Sequence, residues 1–446
     1  MALTGLEIYK LLPKTNCKEC GFPTCLAFAM KLAQKGTELA NCPYVDEEAK
    51  AALDAASAPP IRLVAIGGGE RRFEVGNETV LFRHEKTFFH PPGLVVRLRD
   101  DDPALAEQAT RIDAYEVERV GIKIMLDGIA VDNVSGDAAT FAKAVATVKG
   151  VSALPLVLIS DDPAAVEAAL AVAGGDRPLI CAATTDTWQK MAELAKGAGC
   201  PLVIRADDLE SLAALAHDVQ GLGVEDIVLD PGTRDLAGNL AVFTQLRRLA
   251  LKKNFRPLGF PIIAFADAAT REEQALLAAS AVAKYAGVIV LDELDPSVIY
   301  PLMTLRQNVY TDPQKPIQME PKLYPVGAVT DKSPIFVTTN FSLTYFTVSG
   351  EIEASGVPVW LVVADGDGLS VLTSWAAGKF DAEKIAKTVT SYGMADKVSH
   401  RKLVLPGYVA ALSGEVEEEL PGWQVIVGPR EAVDIPSFLK TVWKAD

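Results

Sequence analysis

Short apolar runs recur along the middle of the chain at 94–98, 122–126, 156–159, 179–182, 202–204, 227–229, 262–265 and 288–291. Between them lie stretches such as 164–172, 187–196, 209–220 and 271–285, whose apolar residues repeat at i, i+3 and i+4. A continuous apolar run reads as a strand buried on both faces, and the second spacing reads as a helix resting on a core. Eight such repeats predict a TIM (β/α)8 barrel. Ahead of it, 61–66 and 80–84 alternate around Gly67-Gly68-Gly69 and Gly76-Asn77 and predict a hairpin or lid. No helical stretch follows the three glycines, so they do not form a dinucleotide fingerprint.

The pattern restarts beyond a Pro-rich boundary at 313–325. Strands are predicted at 335–339, 359–364, 402–405 and 424–427, with helices at 343–354, 369–378, 382–392, 409–420 and 435–443. This is the pattern of a small, doubly wound, Rossmann-like α/β unit. At the other end, 27–35 is helical in composition and 49–60 is an Ala/Ser/Pro-rich linker. The predicted organisation is α/β multidomain: a small domain with its linker at 1–58, the barrel at 59–312 and the α/β unit at 313–446.

Composition narrows the function. A net charge of −15 repels phosphate backbones, which argues against nucleic acid as a partner. No run reaches the ~18 apolar residues of a membrane span, and residues 1–10 lack the basic and apolar regions of a signal peptide. The expectation is a cytoplasmic chain with no membrane association. Four of the six cysteines fall at 17, 20, 25 and 42. A disulfide framework would spread them and needs an oxidising compartment, so the clustering points to metal.

The spacing is C-x2-C-x4-C-x16-C. Gly21 and Pro23 lie where the backbone must turn sharply between the second and third cysteines, and Pro43 stops the chain from continuing helically after the last. Cys17, Cys20, Cys25 and Cys42 are therefore candidate ligands of a [4Fe-4S] cluster. Structural zinc is the alternative, although zinc ribbons favour two C-x2-C knuckles and only one is present. Cys181 and Cys200 belong to strand-like runs and read as small buried hydrophobes.

Polar groups gather where the barrel strands end: Asp127, Asp132, Asn133, Asp161, Asp207, Asp230, Asp267 and Asp292. That end of a barrel carries active sites, but Asp and Asn after a strand also cap helices, and capping is the reading preferred for most of them. In the last unit, ligands of a doubly wound sheet bind beyond the carboxyl ends of the strands. Those ends carry Asn340, then Asp365-Gly366-Asp367-Gly368-Leu369-Ser370-Val371-Leu372-Thr373, then Pro406-Gly407, then 428–433. The two glycines of the second loop permit close backbone approach, and Ser370 and Thr373 supply hydroxyls at a helix start. A bound ligand and a plain helix cap both fit that loop.

The segment Thr15-Asn16-Cys17-Lys18-Glu19-Cys20-Gly21-Phe22-Pro23-Thr24-Cys25 with Asn41-Cys42-Pro43 resembles the small cluster-binding domain of corrinoid iron–sulfur protein large subunits and their relatives. Followed by a barrel and a tail containing 365–375, it resembles the large (gamma) subunit family across the whole chain. The resemblance implies a methyl carrier of the reductive acetyl-CoA pathway. In that family a cobalamin-type corrinoid, as Co(I), accepts a methyl group from methyltetrahydrofolate on a separate methyltransferase. It delivers the methyl to acetyl-CoA synthase, and the [4Fe-4S] cluster reactivates cobalt that has slipped to Co(II). The implied partners are a small (delta) subunit in a heterodimer, the methyltransferase and CO dehydrogenase/acetyl-CoA synthase.

Carried onto this chain, the corrinoid contacts are Asn340, Phe346, Ser370, Val371, Leu372, Thr373 and Val433, with Phe346 facing the macrocycle. No catalytic residue is implied, because the cofactors carry the chemistry and the chain acts with partner enzymes. Many corrinoid proteins supply an axial histidine from D-x-H-x-x-G. Here His90-Pro91-Pro92-Gly93 has only half of it, with Phe88 in place of the acid, so cobalt is expected to receive no protein histidine. Two other readings stand beside this one: an iron–sulfur electron-transfer subunit without its own corrinoid, and a pterin-dependent methyltransferase acting through the barrel.

Overall fold

The computed structural model describes residues 5–33, 37, 39–46, 50, 59–311 and 317–444. The predicted linker falls largely outside them, as does part of the predicted 313–325 boundary. The chain divides into two compact units. One is Met1–Ala114 with Leu126–Arg306, and the other is Tyr115–Met125 with Gln307–Asp446.

In the first unit, helices Gly5–Leu11 and Cys25–Ala33 pack through Ile8, Leu12, Phe28 and Ala29. Then β1 (Val64–Ile66) pairs antiparallel with β2 (Phe73–Val75). The hairpin therefore exists, but its second strand is 73–75 and not the predicted 80–84. Val64, Ile66 and Val75 are fully buried among residues of the barrel interior, so the hairpin plugs the barrel. Gly93, which opens β3 (Gly93–Arg99), makes room for it: a Cβ there would lie 2.3 Å from the ring of Phe73.

The predicted barrel strand at 122–126 is a correction. That segment forms β5 (Ile122–Met125), which pairs with β4 (Glu116–Arg119) as an antiparallel hairpin of the second unit. Its turn is Val120-Gly121, both with positive φ (58° and 75°), which is what a two-residue hairpin loop demands. The place in the barrel is taken by β6 (Gly128–Asp132), buried at its first four positions. The ring continues through β7 (Leu156–Ile159), β8 (Leu179–Ala183), β9 (Leu202–Arg205), β10 (Ile227–Asp230), β11 (Ile263–Phe265) and β12 (Val288–Leu291). The eight strands run parallel in the order β10-β9-β8-β7-β6-β3-β12-β11, and a parallel bridge between Leu229 and Ile262 closes the circle. Cys181 and Cys200 are buried, as predicted.

The barrel-mouth acids mostly do not cap. The caps are Asp137, Asp208, Asp235 and Thr270, each accepting a backbone N–H of the following helix. The strand-end acids instead bind arginines: Arg97 meets Asp267 at 2.7 Å, Asp132 at 3.7 Å and Asp292, while Arg234 holds Asp230 with two bonds of 2.8 and 2.9 Å. Burial raises the carboxyl pKa of Asp132 and Asp267 against the opposing pull of Arg97.

The second unit adds β13 (Leu323–Val326), β14 (Ile335–Thr339), β15 (Val359–Ala364), β16 (Lys402–Leu405) and β17 (Gln424–Val427). The order is β13-β15-β14-β16-β17, with all neighbours parallel except β13, which runs antiparallel at the edge. That edge strand lies inside the predicted Pro-rich boundary. Pro325 is tolerated there because an edge leaves one row of N–H positions unpaired. Alternate residues feed two cores. Val362, Ala364, Leu403 and Leu405 face Phe380, Ile385 and Val416. Val359, Leu361, Val363 and Val404 face Ile352, Phe438 and the hairpin residue Val120. Helices thus cover both faces. No helix among the described residues is long and apolar enough to cross a membrane.

His400 precedes β16 and is 6% exposed. Its Nδ1 accepts the Lys402 N–H at 3.2 Å, so Nε2 carries the proton donated to the Ser333 carbonyl at 3.0 Å. A second proton at Nδ1 would confront that N–H, and burial holds the imidazole pKa below its usual value. The unfolded chain then binds a proton that the folded chain refuses, so stability is lost as pH falls below about 6.5. Denaturant melts from pH 7.5 to 5.5 should show this loss at up to about 1.4 kcal/mol per pH unit. The slope should be shallower in His400→Gln, and equal slopes would refute the assignment.

Candidate functional site

Two places gather the predicted site residues. The first is the N-terminal thiol cradle. Cys25 begins helix Cys25–Ala33, and Thr24 caps it by accepting the Ala27 N–H at 3.1 Å. Cys25 and Cys42 are buried in one apolar cluster, with Cys20 packed against it. Tyr44 donates to Glu19 at 2.8 Å. That hydrogen bond and the carboxylate charge raise the phenol pKa, and the thiolates of Cys17 and Cys42 raise it further, so these two cysteines share its neighbourhood.

The backbone of the cradle is unusual. Lys14, Asn16 and Lys18 all have positive φ (59°, 50° and 68°), while Thr15 and Cys17 between them do not. Left-handed residues at alternate positions reverse the chain direction repeatedly through the segment that carries Cys17. Each left-handed non-glycine residue costs about 1–2 kcal/mol, so three in five positions mark a built feature. Among the described residues, no three Cys, His, Asp or Glu side chains converge closely enough to share one metal ion. In a cubane each iron takes its own thiolate, so its ligands stand farther apart than those of a single ion. Four thiols on a backbone held in this shape fit a [4Fe-4S] cluster.

The second place is the carboxyl end of the second unit's sheet. The chain passes from β14 to β15 on one side and then to β16 on the other, so a crevice opens beyond β14 and β16, where ligands of open α/β sheets bind. A cavity of about 300 Å³ lies there, with Phe341, Leu343, Thr344, Val371, Pro406 and Tyr408 in its lining. Part of its lining is apolar and open to solvent: Leu343 is 65% exposed, Leu372 47% and Tyr408 47%.

Ser370, Val371 and Leu372 line the cavity, whereas Asn340, Phe346, Thr373 and Val433 do not. Phe346 and Val433 are exposed, at 53% and 69%, so Phe346 is not a core residue. The hydroxyls of Ser370 and Thr373 lie 2.9 Å apart at the helix start. Asn340 acts differently from the expectation of a ligand contact. It is 1% exposed, its Oδ1 accepts the N–H groups of Gly366 (2.9 Å) and Gly368 (3.0 Å), and its Nδ2 donates to Gln318 and Asp365. It pins the loop in place. The loop is wedged elsewhere too, since a Cβ on Gly366 would lie 2.5 Å from Ser374 Oγ.

Leu343 and Tyr408 were missed by sequence reasoning. Leu343 lies three residues before Phe346 on helix Ser342–Ser355, on the side away from Val348 and Ile352, and an apolar pair on an outward helical stripe was the available signal. Tyr408 directly follows the loop glycine after the third parallel strand. Its OH donates to Glu431 at 2.5 Å, which raises its pKa. His400, the histidine of the second unit, lies before β16 and so at the opposite end of the sheet from the crevice.

Comparison with known proteins gives consistent relatives. A family model described as the CO dehydrogenase/acetyl-CoA synthase delta subunit matches residues 63–439, and one described as a putative Fe-S cluster matches 12–44. The corrinoid/iron-sulfur protein large subunit of Moorella thermoacetica is 47% identical over 99% of both chains. The acetyl-CoA decarbonylase/synthase complex subunit gamma of Methanopyrus kandleri is 38% identical over 98% of this chain and 97% of its own. A solved Yersinia pestis dihydropteroate synthase covers 49% of this chain and 93% of its own at 13% identity and a TM-score of 0.36, a level that carries no argument.

Proposed function

Since the chain belongs to the family of corrinoid/iron–sulfur protein large subunits and acetyl-CoA decarbonylase/synthase gamma subunits, we propose that it is a methyl carrier of the acetyl-CoA pathway. Cys17, Cys20, Cys25 and Cys42 hold a [4Fe-4S] cluster, and the crevice of the second unit holds a corrinoid. When bound, the corrinoid supplies a nucleophilic cobalt that takes up and releases a methyl group, and the cluster supplies the electron that restores it. The observation that carries this reading is the open apolar rim around a 300 Å³ cavity at the reversal of strand order. Ser370, Val371, Leu372 and Leu343 would hold such a group through apolar and hydroxyl contacts.

The chain's residues bind and orient. Leu343, Phe346, Leu372 and Val433 offer a ledge whose burial drives binding. Asn340 and the glycine loop fix the wall that carries Ser370 and Thr373. The second unit's histidine, His400, lies at the other end of its sheet and would not ligate a group held in the crevice. The proposed partners are a small (delta) subunit, methyltetrahydrofolate methyltransferase and CO dehydrogenase/acetyl-CoA synthase. The proposed location is the cytoplasm, in keeping with six unpaired cysteines.

Cobalt and iron analysis of the purified heterodimer tests the reading, and an intact, active complex free of cobalt would overturn it. A sharper test is the double variant Leu343→Gln/Phe346→Gln. Burying each side chain against a ligand contributes about 1.5–3 kcal/mol, so corrinoid affinity should fall by roughly a hundredfold or more. Both residues are exposed in the free chain, so the melting temperature of the corrinoid-free protein should scarcely move.

A further inference from the structure

Asn16 and Cys25 clasp each other. The Asn16 backbone N–H donates to the Cys25 sulfur at 3.4 Å, and the Cys25 N–H donates to the Asn16 carboxamide oxygen at 2.8 Å. The two residues are nine positions apart, one in the left-handed segment and the other opening the helix, so the clasp joins the two halves of the cradle. It also explains why asparagine stands at 16. The position has φ of 50°, which Asn tolerates better than most side chains, and the reach back to residue 25 needs a short side chain that ends in an acceptor.

We infer that Asn16 is a positioning residue that sets the reduction potential of the cluster, by holding its own amide N–H on the sulfur of one ligand. This rests on the assignment of Cys25 as a cluster ligand. Reduction adds an electron that is shared with the thiolate sulfurs, and an N–H dipole aimed at one of them stabilises the more negative state. Hydrogen bonds to the sulfurs therefore raise the potential. The carboxamide does not touch the sulfur. It fixes residue 25 so that the amide stays in line, and without it the amide is free to turn to water.

The test uses the full-length protein with its cluster. Iron content and the EPR signal of the reduced cluster come first, since their absence means that the cluster assignment itself has failed. With the cluster present, pulsed EPR after exchange into deuterium oxide should show an exchangeable deuteron strongly coupled to it. Asn16→Gly keeps the left-handed backbone and the amide but removes the carboxamide, so the midpoint potential should shift to more negative values while the iron content is retained. Asn254→Gly, at an asparagine of the same left-handed φ (52°) that ends a barrel helix outside the cradle, is the matched control and should leave the potential unchanged. A native cluster with no such deuteron coupling overturns the proposal whatever the variants do, and so does an Asn16→Gly protein with unchanged potential and unchanged coupling.

Discussion

Replacing Asn340 with alanine should abolish the corrinoid binding proposed for the second unit and cost that unit about 3 kcal/mol of stability. The carboxamide accepts two backbone N–H groups, from Gly366 and Gly368, in a place that is 1% exposed. Alanine leaves both donors buried and unpaired, at about 1–3 kcal/mol each. Folded domains retain only about 5–15 kcal/mol in all, so a large share of the margin would go. The glycines cannot easily find other partners, because the loop is wedged: Gly366 lies against Ser374, and a Cβ on Gly368 would come within 2.5 Å of Gln318. The loop therefore has to open, and with it the wall that presents Ser370 to Leu372. Asn340→Asp keeps an oxygen that can accept both N–H groups but loses the Nδ2 donor and sets a carboxylate against Asp365, so it should fall between wild type and alanine. Cobalt content and thermal melts of the three proteins decide the matter. Wild-type values for Asn340→Ala in both measurements would show that Asn340 does not hold the site.

Replacing Cys25 with alanine should remove most of the bound iron and leave the barrel folded. Cys25 is 5% exposed at the first position of its helix. No spare cysteine lies in its domain to substitute, since Cys17, Cys20 and Cys42 are the other proposed ligands. Cys181→Ala is the matched control: it lies in the barrel interior, with a thiol that burial pushes well above its usual pKa, and its loss should change iron content by nothing measurable. Iron retained at full occupancy in Cys25→Ala would remove that residue from the ligand set. Zinc in place of iron in the native protein, purified without oxygen, would replace the cluster by the alternative weighed from the spacing.

The parts of the fold that were legible are those in which local pattern and burial agree. Seven of the eight predicted barrel runs are barrel strands, because a continuous apolar run has nowhere to go but between two layers. The run at 122–126 misled because it is apolar by composition while its partner, Glu116–Arg119, is not. Reading the two together around Val120-Gly121 reveals a hairpin that only the pairing makes visible. β13 was hidden by Pro325, which excludes a central strand but not an edge. At the crevice, the loop from 365 to 373 was found from its glycines and hydroxyls, since those residues act through their own local chemistry. Asn340 was found too, but its task of holding the loop depends on partners 25 to 28 positions away, which no local pattern records. Leu343 and Tyr408 are ordinary residues until the tertiary structure leaves them uncovered.

The hairpin of residues 115–125 has a further meaning for how this protein came to be and how it can be taken apart. It departs from the first unit after Ala114, contributes Val120 to the core of the second, and returns at Leu126. The second unit is thus not a cassette appended after the barrel that recombination, or a protease cutting near 306, could release whole. Eleven residues of its framework are encoded almost two hundred positions upstream. A gene fusion that borrowed only the last third of the chain would inherit a sheet with one of its apolar flanks laid bare.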